Sequence, residues 1–327
     1  MNVTTQWNDL VKNAKVLWRE GYDSVPKVAE QLYDVRGVDV MTSEHSSISG
    51  YGFAERKNEG ESYAYGSAAQ GYKLNLSQLR IGLVDSLTWE MRKFDKYREL
   101  EKKMRKLGET TAKRIQLDLT HQFTFGMSAS SYTNRNGETI ATTSGDGQNI
   151  FDTDHTINKA GDDSNYSNLI TTEFSRAGLE EAEEKFNTFV DDNGNMVVVE
   201  PDTIITTRNV AVCNAVREFL KSQLIPDEAN NASNVYQGKY KHLVLPYLAT
   251  TAAGAPDSTL DKYWMLASLK NTDGICEISE YPTFTAGTEG NGGIDFDTDS
   301  IKVKSSACYD YGVLDYKWVV GSTGATS

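Results

Sequence analysis

Apolar residues recur at helical spacing in the first part of the chain. The stripe advances in steps of three and four residues and stops before Gly21, which predicts an amphipathic helix that ends at this glycine. Because no core-forming pattern follows directly, residues 1–45 are predicted to form an N-terminal arm. Its apolar stripe needs a partner surface in the same subunit or in the next. The stripe consists of Trp7, Leu10, Val11, Ala14, Leu17 and Trp18.

A different pattern follows in residues 46–80, where aromatic and polar residues alternate. This period of two predicts an extended β-hairpin whose turn lies in the charged stretch 57–61. An isolated two-stranded ribbon is marginally stable in water. The hairpin is therefore expected to rest on its own core or across a neighbouring subunit. The side chains expected at such an inter-subunit contact are Tyr51, Phe53, Lys57, Tyr63 and Tyr65.

The longest apolar stripe runs through residues 85–125. It predicts one helix of about 40 residues, which would span ~60 Å at the rise of an α-helix. Gly108 lies inside this stripe and predicts a bend, since glycine weakens a helix by ~1 kcal/mol relative to alanine. A coiled coil is the alternative, but the stripe drifts and the flanking charges are irregular. We therefore expect a single spine helix that packs on a sheet.

Short helices and strands alternate from Phe151 onward, which is typical of an α+β module. Ser175 is a good N-cap for one helix, and residues 192–194 predict a turn before a strand at 196–199. The last two predicted strands, 301–307 and 313–320, are expected to return to the sheet of the spine helix.

The segment 145–155 combines glycine, aspartate and histidine in an unusual density. Asp152, Asp154 and His155 are residue types that bind divalent cations, so a metal site is one hypothesis. The alternative is a tight structural loop, in which the aspartates accept hydrogen bonds from backbone amides. No second imidazole lies near this segment in the sequence, which favours the structural loop.

This same segment, Gly-Asp-Gly-Gln-Asn-Ile-Phe-Asp-Thr-Asp-His, resembles the "DGQNFFDxDH" signature of the Mu-like major head protein family of tailed bacteriophages. Segments near residues 3–22, 263–266 and 301–322 resemble other parts of that family in the same order. The resemblance implies the α+β Hong Kong 97-type capsid fold. Its parts would be an N-terminal arm (1–45), an extended hairpin loop (46–80), a peripheral domain with the spine helix (81–150 and 297–327) and an axial domain (151–296).

Membership of this family would imply a major capsid protein without enzymatic activity or cofactor. Identical subunits would form the pentamers and hexamers of an icosahedral head that encloses double-stranded DNA without reading its sequence. The protein would be located in the virion after assembly in the host cytoplasm. A portal and a decoration protein are further implied partners. Because the arm begins almost at Met1, we expect any scaffold to be a separate protein.

Two other functions stay open at this point. An encapsulin-type nanocompartment shell protein would share the fold, whereas a soluble metal-dependent hydrolase would use Asp152, Asp154 and His155. The sequence contains no nucleophile elbow, P-loop or zinc-protease motif, which lowers the expectation of an enzyme. The four histidines, His45, His121, His155 and His242, are expected to be structural side chains.

Charge and cysteine content constrain the picture further. The net charge of −13 argues against a protein that grips nucleic acid, but it is compatible with a container. Within this acidic chain, the stretch from Arg92 to Arg114 is basic. A solvated helix face is the ordinary interpretation, and contact with the packaged genome or a scaffold is the alternative. Three widely spaced cysteines predict reduced thiols, and neither a secretory signal nor a membrane span is expected.

Overall fold

The computed structural model describes residues 3–48, 50–66, 70–94, 97–157, 164–224, 233–287, 294–295 and 300–324. The α-helices within these ranges are α1 (Val3–Asp23), α2 (Trp89–Lys93), α3 (Tyr97–Gly126), α4 (Arg176–Thr188) and α5 (Val210–Lys221). The strands are β1 (Asp34–Gly37), β2 (Thr42–Ile48), β3 (Gln70–Ser77), β4 (Leu79–Leu87), β5 (Ser131–Thr133), β6 (Thr139–Ala141), β7 (Leu169–Ile170), β8 (Thr203–Thr206), β9 (Lys241–Val244), β10 (Trp264–Ala267), β11 (Gly274–Ala286), β12 (Ile294–Asp295), β13 (Ser300–Val313) and β14 (Val319–Ser322).

Two sheets organise these elements. The elongated sheet is centred on β13, which pairs antiparallel with β11 along one edge and with β4 along the other. β1 extends this sheet as a parallel neighbour of β11, and β12 pairs with the start of β13. The compact sheet has the order β7-β14-β10-β8-β9 and packs against α4 and α5. The chain therefore has the α+β architecture predicted from its sequence.

The elongated sheet carries a different layer on each of its faces. On one face, Trp18 of α1 donates its indole N–H to Ser305 at 3.0 Å, and Tyr309 donates its hydroxyl to Asp118 of α3 at 2.7 Å. On the other face, Asp310 accepts a hydrogen bond from the Ser77 amide of β3 at 2.6 Å. Because alternate residues of a strand point to opposite faces, α1 and α3 cover one side of β13. The hairpin β2–β3 covers the other side.

The predicted spine helix is shorter than its apolar stripe suggested. Residues 85–87 belong to β4, which pairs with residues 301–309 of β13, and the helical part that follows is α2 and then α3. Thr88 has an extended backbone, with φ −72° and ψ 159°, and separates strand from helix. Leu87 fits a strand as well as a helix because it is a buried position in either pattern.

The closing strands divide between the two sheets. β13 lies in the sheet under α3, as expected for residues 301–307. The prediction that residues 313–320 return to the same sheet is wrong for β14. β14 pairs antiparallel with β10 and parallel with β7, so it belongs to the compact sheet. The turn at residues 314–318 redirects the chain between the two sheets. Trp318 follows in the shared core, where it contacts Phe123 of α3 edge to face with ring centroids 5.9 Å apart.

Two glycines allow α1 and α3 to cross in close contact. A β-carbon at Gly108 would lie 2.1 Å from the Trp18 carbonyl oxygen, and one at Gly21 would lie 2.0 Å from the Arg105 carbonyl oxygen. The arm helix therefore packs within its own subunit, and it continues past Gly21 to Asp23. The prediction that Gly21 ends the helix is wrong, because the glycine serves the crossing.

We predict that Gly108→Ala destabilises the protein, although the same change ordinarily stabilises a helix by about 1 kcal/mol. The added methyl group would force α1 away from α3, and overpacking of this kind costs roughly 1–3 kcal/mol. Urea unfolding of the variant measures the effect. Glu99→Ala, at an exposed position of the same helix, is the matched control and should change stability little. A Gly108→Ala variant more stable than the wild type would contradict the crossing.

Candidate functional site

The hairpin has a paired base and an unpaired outer part. β2 and β3 are antiparallel, with Thr42 opposite Ser77 and His45 opposite Leu74. Residues 50–66, which we call the exposed loop, contain neither strand nor helix. The predicted strands through Tyr51 and Tyr63 are therefore wrong in extent, because the backbone pairing is confined to the base.

Aromatic side chains of the exposed loop lie in solvent. The exposed fractions are 71% for Tyr51, 81% for Phe53, 74% for Tyr63 and 99% for Tyr65. Buried aromatic side chains dominate core and interface energetics. Four exposed aromatic side chains on one short loop therefore mark a candidate interaction site.

The tip of the exposed loop is held by local polar contacts. Asn58 donates its side-chain N–H to the Glu61 carboxylate at 3.0 Å, and the Glu61 amide donates to the Asn58 carbonyl at 3.3 Å. Gly60 has φ +83°, a left-handed conformation that favours glycine. The Lys57 ammonium lies 4.7 Å from the centroid of the Tyr63 ring. The prediction of a turn at 57–61 is confirmed.

Two facing carboxylates anchor the base of the hairpin to the elongated sheet. Glu277 of β11 lies opposite Asp310 of β13. His45 lies 2.8 Å from one Glu277 oxygen, Ser43 donates its hydroxyl to the other, and the Ser77 amide donates to Asp310. Burial raises the pKa of Asp310 to about 6, and the charge of Glu277 adds to this, although two backbone hydrogen bonds oppose it.

A second anchor holds the start of the exposed loop. Asn193 donates its side-chain N–H to the Gly50 carbonyl at 2.5 Å. Asn193 belongs to a turn in which Asp191 accepts hydrogen bonds from the amides of Asn193 and Asn195, at 2.9 and 2.7 Å. Gly194 in this turn has φ +84°. The turn predicted at 192–194 thus exists, and it orients the loop.

The segment 145–155 is built around a buried ion pair. His155 Nδ1 lies 2.7 Å from Asp146, and the two side chains are 0% and 1% exposed. Burial alone would raise the pKa of Asp146, but the hydrogen bond and charge of His155 outweigh it and lower that pKa. His155 Nε2 lies 3.0 Å from the Asn168 side-chain oxygen, and the imidazole stacks on Tyr316 with centroids 3.7 Å apart. Both ring nitrogens are therefore engaged within the protein.

The aspartates of the metal hypothesis do not converge with this histidine. Asp152 accepts hydrogen bonds from the amides of Thr153 and Asp154, at 2.7 and 3.3 Å, as the structural interpretation predicted. Asp154 accepts from the Asn165 side chain at 3.3 Å, and a backbone hydrogen bond to it is not seen among the described residues. Among the residues that the structure describes, no three His, Cys, Asp or Glu side chains are placed to hold a metal ion.

Sequence reasoning missed Asp146 as the partner of His155. A signal was present, because Asp146 precedes Gly147, and an aspartate before a glycine is typical of a turn. The structure shows that turn: Asp146 accepts hydrogen bonds from Ser144 and from the Gln148 amide, at 2.5 and 3.1 Å. The spacing could not show that its second oxygen meets His155.

Comparison with known proteins identifies the class of this fold. A model of the phage capsid protein family matches residues 72–322, more than three quarters of the chain. The chain belongs to the phage capsid protein family. No curated protein sequence matches this capsid subunit. The family match begins within β3, so α1, β2 and the exposed loop lie outside it.

Solved structures agree with this family at the level of the fold. A chain from the capsid structure of the Cyanophage P-SCSP1u has a TM-score of 0.53 and 10% sequence identity, over 92% of this chain and 89% of that chain. A chain from Gordonia phage Cozz has a TM-score of 0.51 and 10% identity, over 92% and 87% of the two chains. The capsid subunit has the Hong Kong 97-type fold and is a structural component of a phage capsid.

Among the described residues, no helix combines the length and the apolar character that are needed to cross a bilayer.

We predict that Asp146→Asn destabilises the subunit much more than the double change Asp152→Asn and Asp154→Asn. Removing one partner of a buried ion pair leaves an uncompensated group and costs about 3–5 kcal/mol. The double variant changes one half-buried and one exposed side chain and should cost under roughly 1 kcal/mol. Urea unfolding compares the variants. Metal analysis of the wild type should find no stoichiometric cation, and a cation that the double variant loses would revive the metal hypothesis.

A second prediction concerns pH. The raised pKa of Asp310 means that the folded protein binds this proton more tightly than the unfolded chain. The linked stability is fully present below the ordinary pKa of about 4 and is lost as the pH rises through about 6. Asp310→Asn removes this titration. The wild type should therefore gain stability relative to the variant between pH 7.5 and pH 5, on the order of 1–3 kcal/mol. If the difference in urea midpoint between the wild type and Asp310→Asn did not change with pH, protonation of Asp310 would not contribute to the stability of the folded protein.

Proposed function

We propose that this chain is a Mu-like major capsid protein that assembles into the pentamers and hexamers of an icosahedral phage head. The exposed loop lies across an adjacent subunit and covers its aromatic side chains there. The compact sheet with α4 and α5 serves as the axial domain, and the elongated sheet with α3 serves as the peripheral domain. The subunit has no enzymatic activity. It assembles in the host cytoplasm and encloses double-stranded DNA.

The observation that carries this proposal is the exposure of Tyr51, Phe53, Tyr63 and Tyr65. Burying one aromatic side chain contributes roughly 1.5–3 kcal/mol. The anchors at Glu277, Asp310 and Asn193 hold the base of the loop in place while its outer part stays available. A loop fixed at its base loses less entropy when it docks, which favours contact with a neighbour.

The mechanism is geometric. Each subunit gives one loop to a neighbour and receives another, which is a heterologous contact that can close into a ring. Each contact is modest, but many of them act together across a closed shell. Linked contacts raise the effective concentration of their partners, so the shell is more stable than any single interface.

The experiment is a replacement of residues 56–60 by two glycines. The change removes the tip and shifts the aromatic side chains, while the base strands and both anchors are kept. We expect folded subunits that form no closed shell under negative-stain microscopy, or a shell that dissociates at lower temperature.

The matched control is the double variant Arg56→Ala and Glu59→Ala, which keeps the length of the loop and all its aromatic residues. It should form shells like the wild type. Normal, heat-resistant shells from the shortened loop would show that the loop is not an assembly element. A wild-type chain that stays monomeric at high concentration, under every salt condition, would overturn the assignment as a self-assembling subunit.

A further inference from the structure

An unbalanced group of cations lies on the layer formed by α1 and α3. The side chains of Lys12, Lys15, Arg98, Lys102 and Lys106 are exposed, and none of them forms an ion pair with another residue that the structure describes. The basic stretch noted in the sequence is therefore more than a set of paired surface charges. The side chains of Arg92, Lys93 and Lys96, which belong to the same stretch, lie outside the described part of the structure.

Most acidic residues of this layer pair with other cations, whereas the exposed Glu99 forms no ion pair with a residue that the structure describes. Glu20 pairs with Arg105 at 3.0 Å, and the same arginine lies 4.0 Å from Glu101. Glu109 pairs with Lys113 at 3.1 Å, and Asp23 lies 3.6 Å from Arg19. The local excess is consequently positive, although the whole chain has a net charge of −13.

The unpaired cations lie on two helices that cross in close contact. Arg98, Lys102 and Lys106 are four residues apart on α3, so they follow one ridge with a rise of about 6 Å per step. On α1, Lys12 stands on the same ridge as Glu20, two steps of four residues away. The ion pair between Glu20 and Arg105 joins the outer faces of the two helices. We call this surface the basic face.

The chemistry of the basic face fits a polyanion better than a folded protein partner. Protein interfaces depend on a buried aromatic or apolar centre. The only large apolar side chain among the exposed residues described on α1 is Val16, which is 58% exposed. Mobile lysines and arginines without acidic partners suit repeated phosphate groups, which bind through release of counterions. The exposed aromatic side chains described nearest to this ridge, Trp89 and Phe94, pack edge to face with ring centroids 5.8 Å apart. This pair is not a row of platforms on which successive bases could stack, so a duplex backbone is favoured over a single strand.

We propose that the basic face contacts the phosphate backbone of packaged double-stranded DNA, without reading bases. The contact rests on the proposed function, because only a shell subunit would meet DNA at many copies of this surface. The hairpin lies on the opposite face of the elongated sheet, so the two surfaces serve different purposes. The acidic residues elsewhere in the chain repel DNA, so the subunit binds the phosphate backbone weakly and only at the basic face.

The test measures binding of the full-length chain to a fluorescent 20-base-pair duplex by anisotropy, between 50 and 200 mM salt. The patch variant carries Arg98→Glu, Lys102→Glu and Lys106→Glu. The control variant carries Arg208→Glu, Lys221→Glu and Lys241→Glu, which are exposed cations on the compact-sheet side with the same total charge change. We expect the patch variant to bind at least tenfold more weakly at 50 mM salt than the control. Its slope of log K against log salt should fall by about 2–3, the contribution of three phosphate contacts.

Equal losses in the patch and control variants would overturn the proposal, because only overall charge would then matter. Tighter binding of an acidic poly-glutamate peptide than of the duplex at the same salt would also overturn it, in favour of an acidic protein partner. If the patch variant fails to fold, as judged by circular dichroism, a variant with Arg98→Gln, Lys102→Gln and Lys106→Gln replaces it. A wild type that forms shells normally, but whose unassembled subunits show no salt-dependent DNA binding, would refute the basic face alone. Failure of the wild type to form shells would refute the proposed function instead.

Discussion

The long antiparallel pairing of β13 with β11 and β4 is the feature on which the other parts of this subunit depend. β13 has 14 residues, and its alternating side chains serve two layers at once. Ser305, Ala307 and Tyr309 face the helices, whereas Asp310 faces the hairpin. A shift of its register by one residue would exchange these two sets, so the strand position fixes both the helix layer and the hairpin.

Buried charges then connect the parts that the sheets bring together. The pair of Asp146 and His155 ties the 145–155 segment to Asn168 and Tyr316, beside the strands of the compact sheet. A buried ion pair adds little net stability over an apolar pair, but loss of one partner is costly. Such a pair therefore makes the arrangement specific. Glu277 and Asp310 act differently, because two facing carboxylates need the hairpin groups Ser43, His45 and the Ser77 amide.

The two outer surfaces of the subunit differ in chemistry. The exposed loop presents aromatic side chains, which gain free energy when a neighbouring surface removes them from water. The basic face presents unpaired cations, whose attraction to phosphate weakens as the salt concentration rises. Because the elongated sheet separates the two layers, the two surfaces are available to different partners.

The sequence by itself determined the elements with strong local signals: the α+β class, the N-cap at Ser175, the turns at 57–61 and 192–194, and a long helix near α3. The segment 145–155, whose resemblance pointed to a phage head protein, lies inside the region that the phage capsid family model matches. These features depend on neighbours in sequence. Only the tertiary structure decided that Gly21 and Gly108 serve a helix crossing, that β14 joins the compact sheet, and that Asp146 is the partner of His155. Each of these depends on contacts between residues that are distant in sequence or on the direction in which a side chain points, and periodicity along the chain does not encode either.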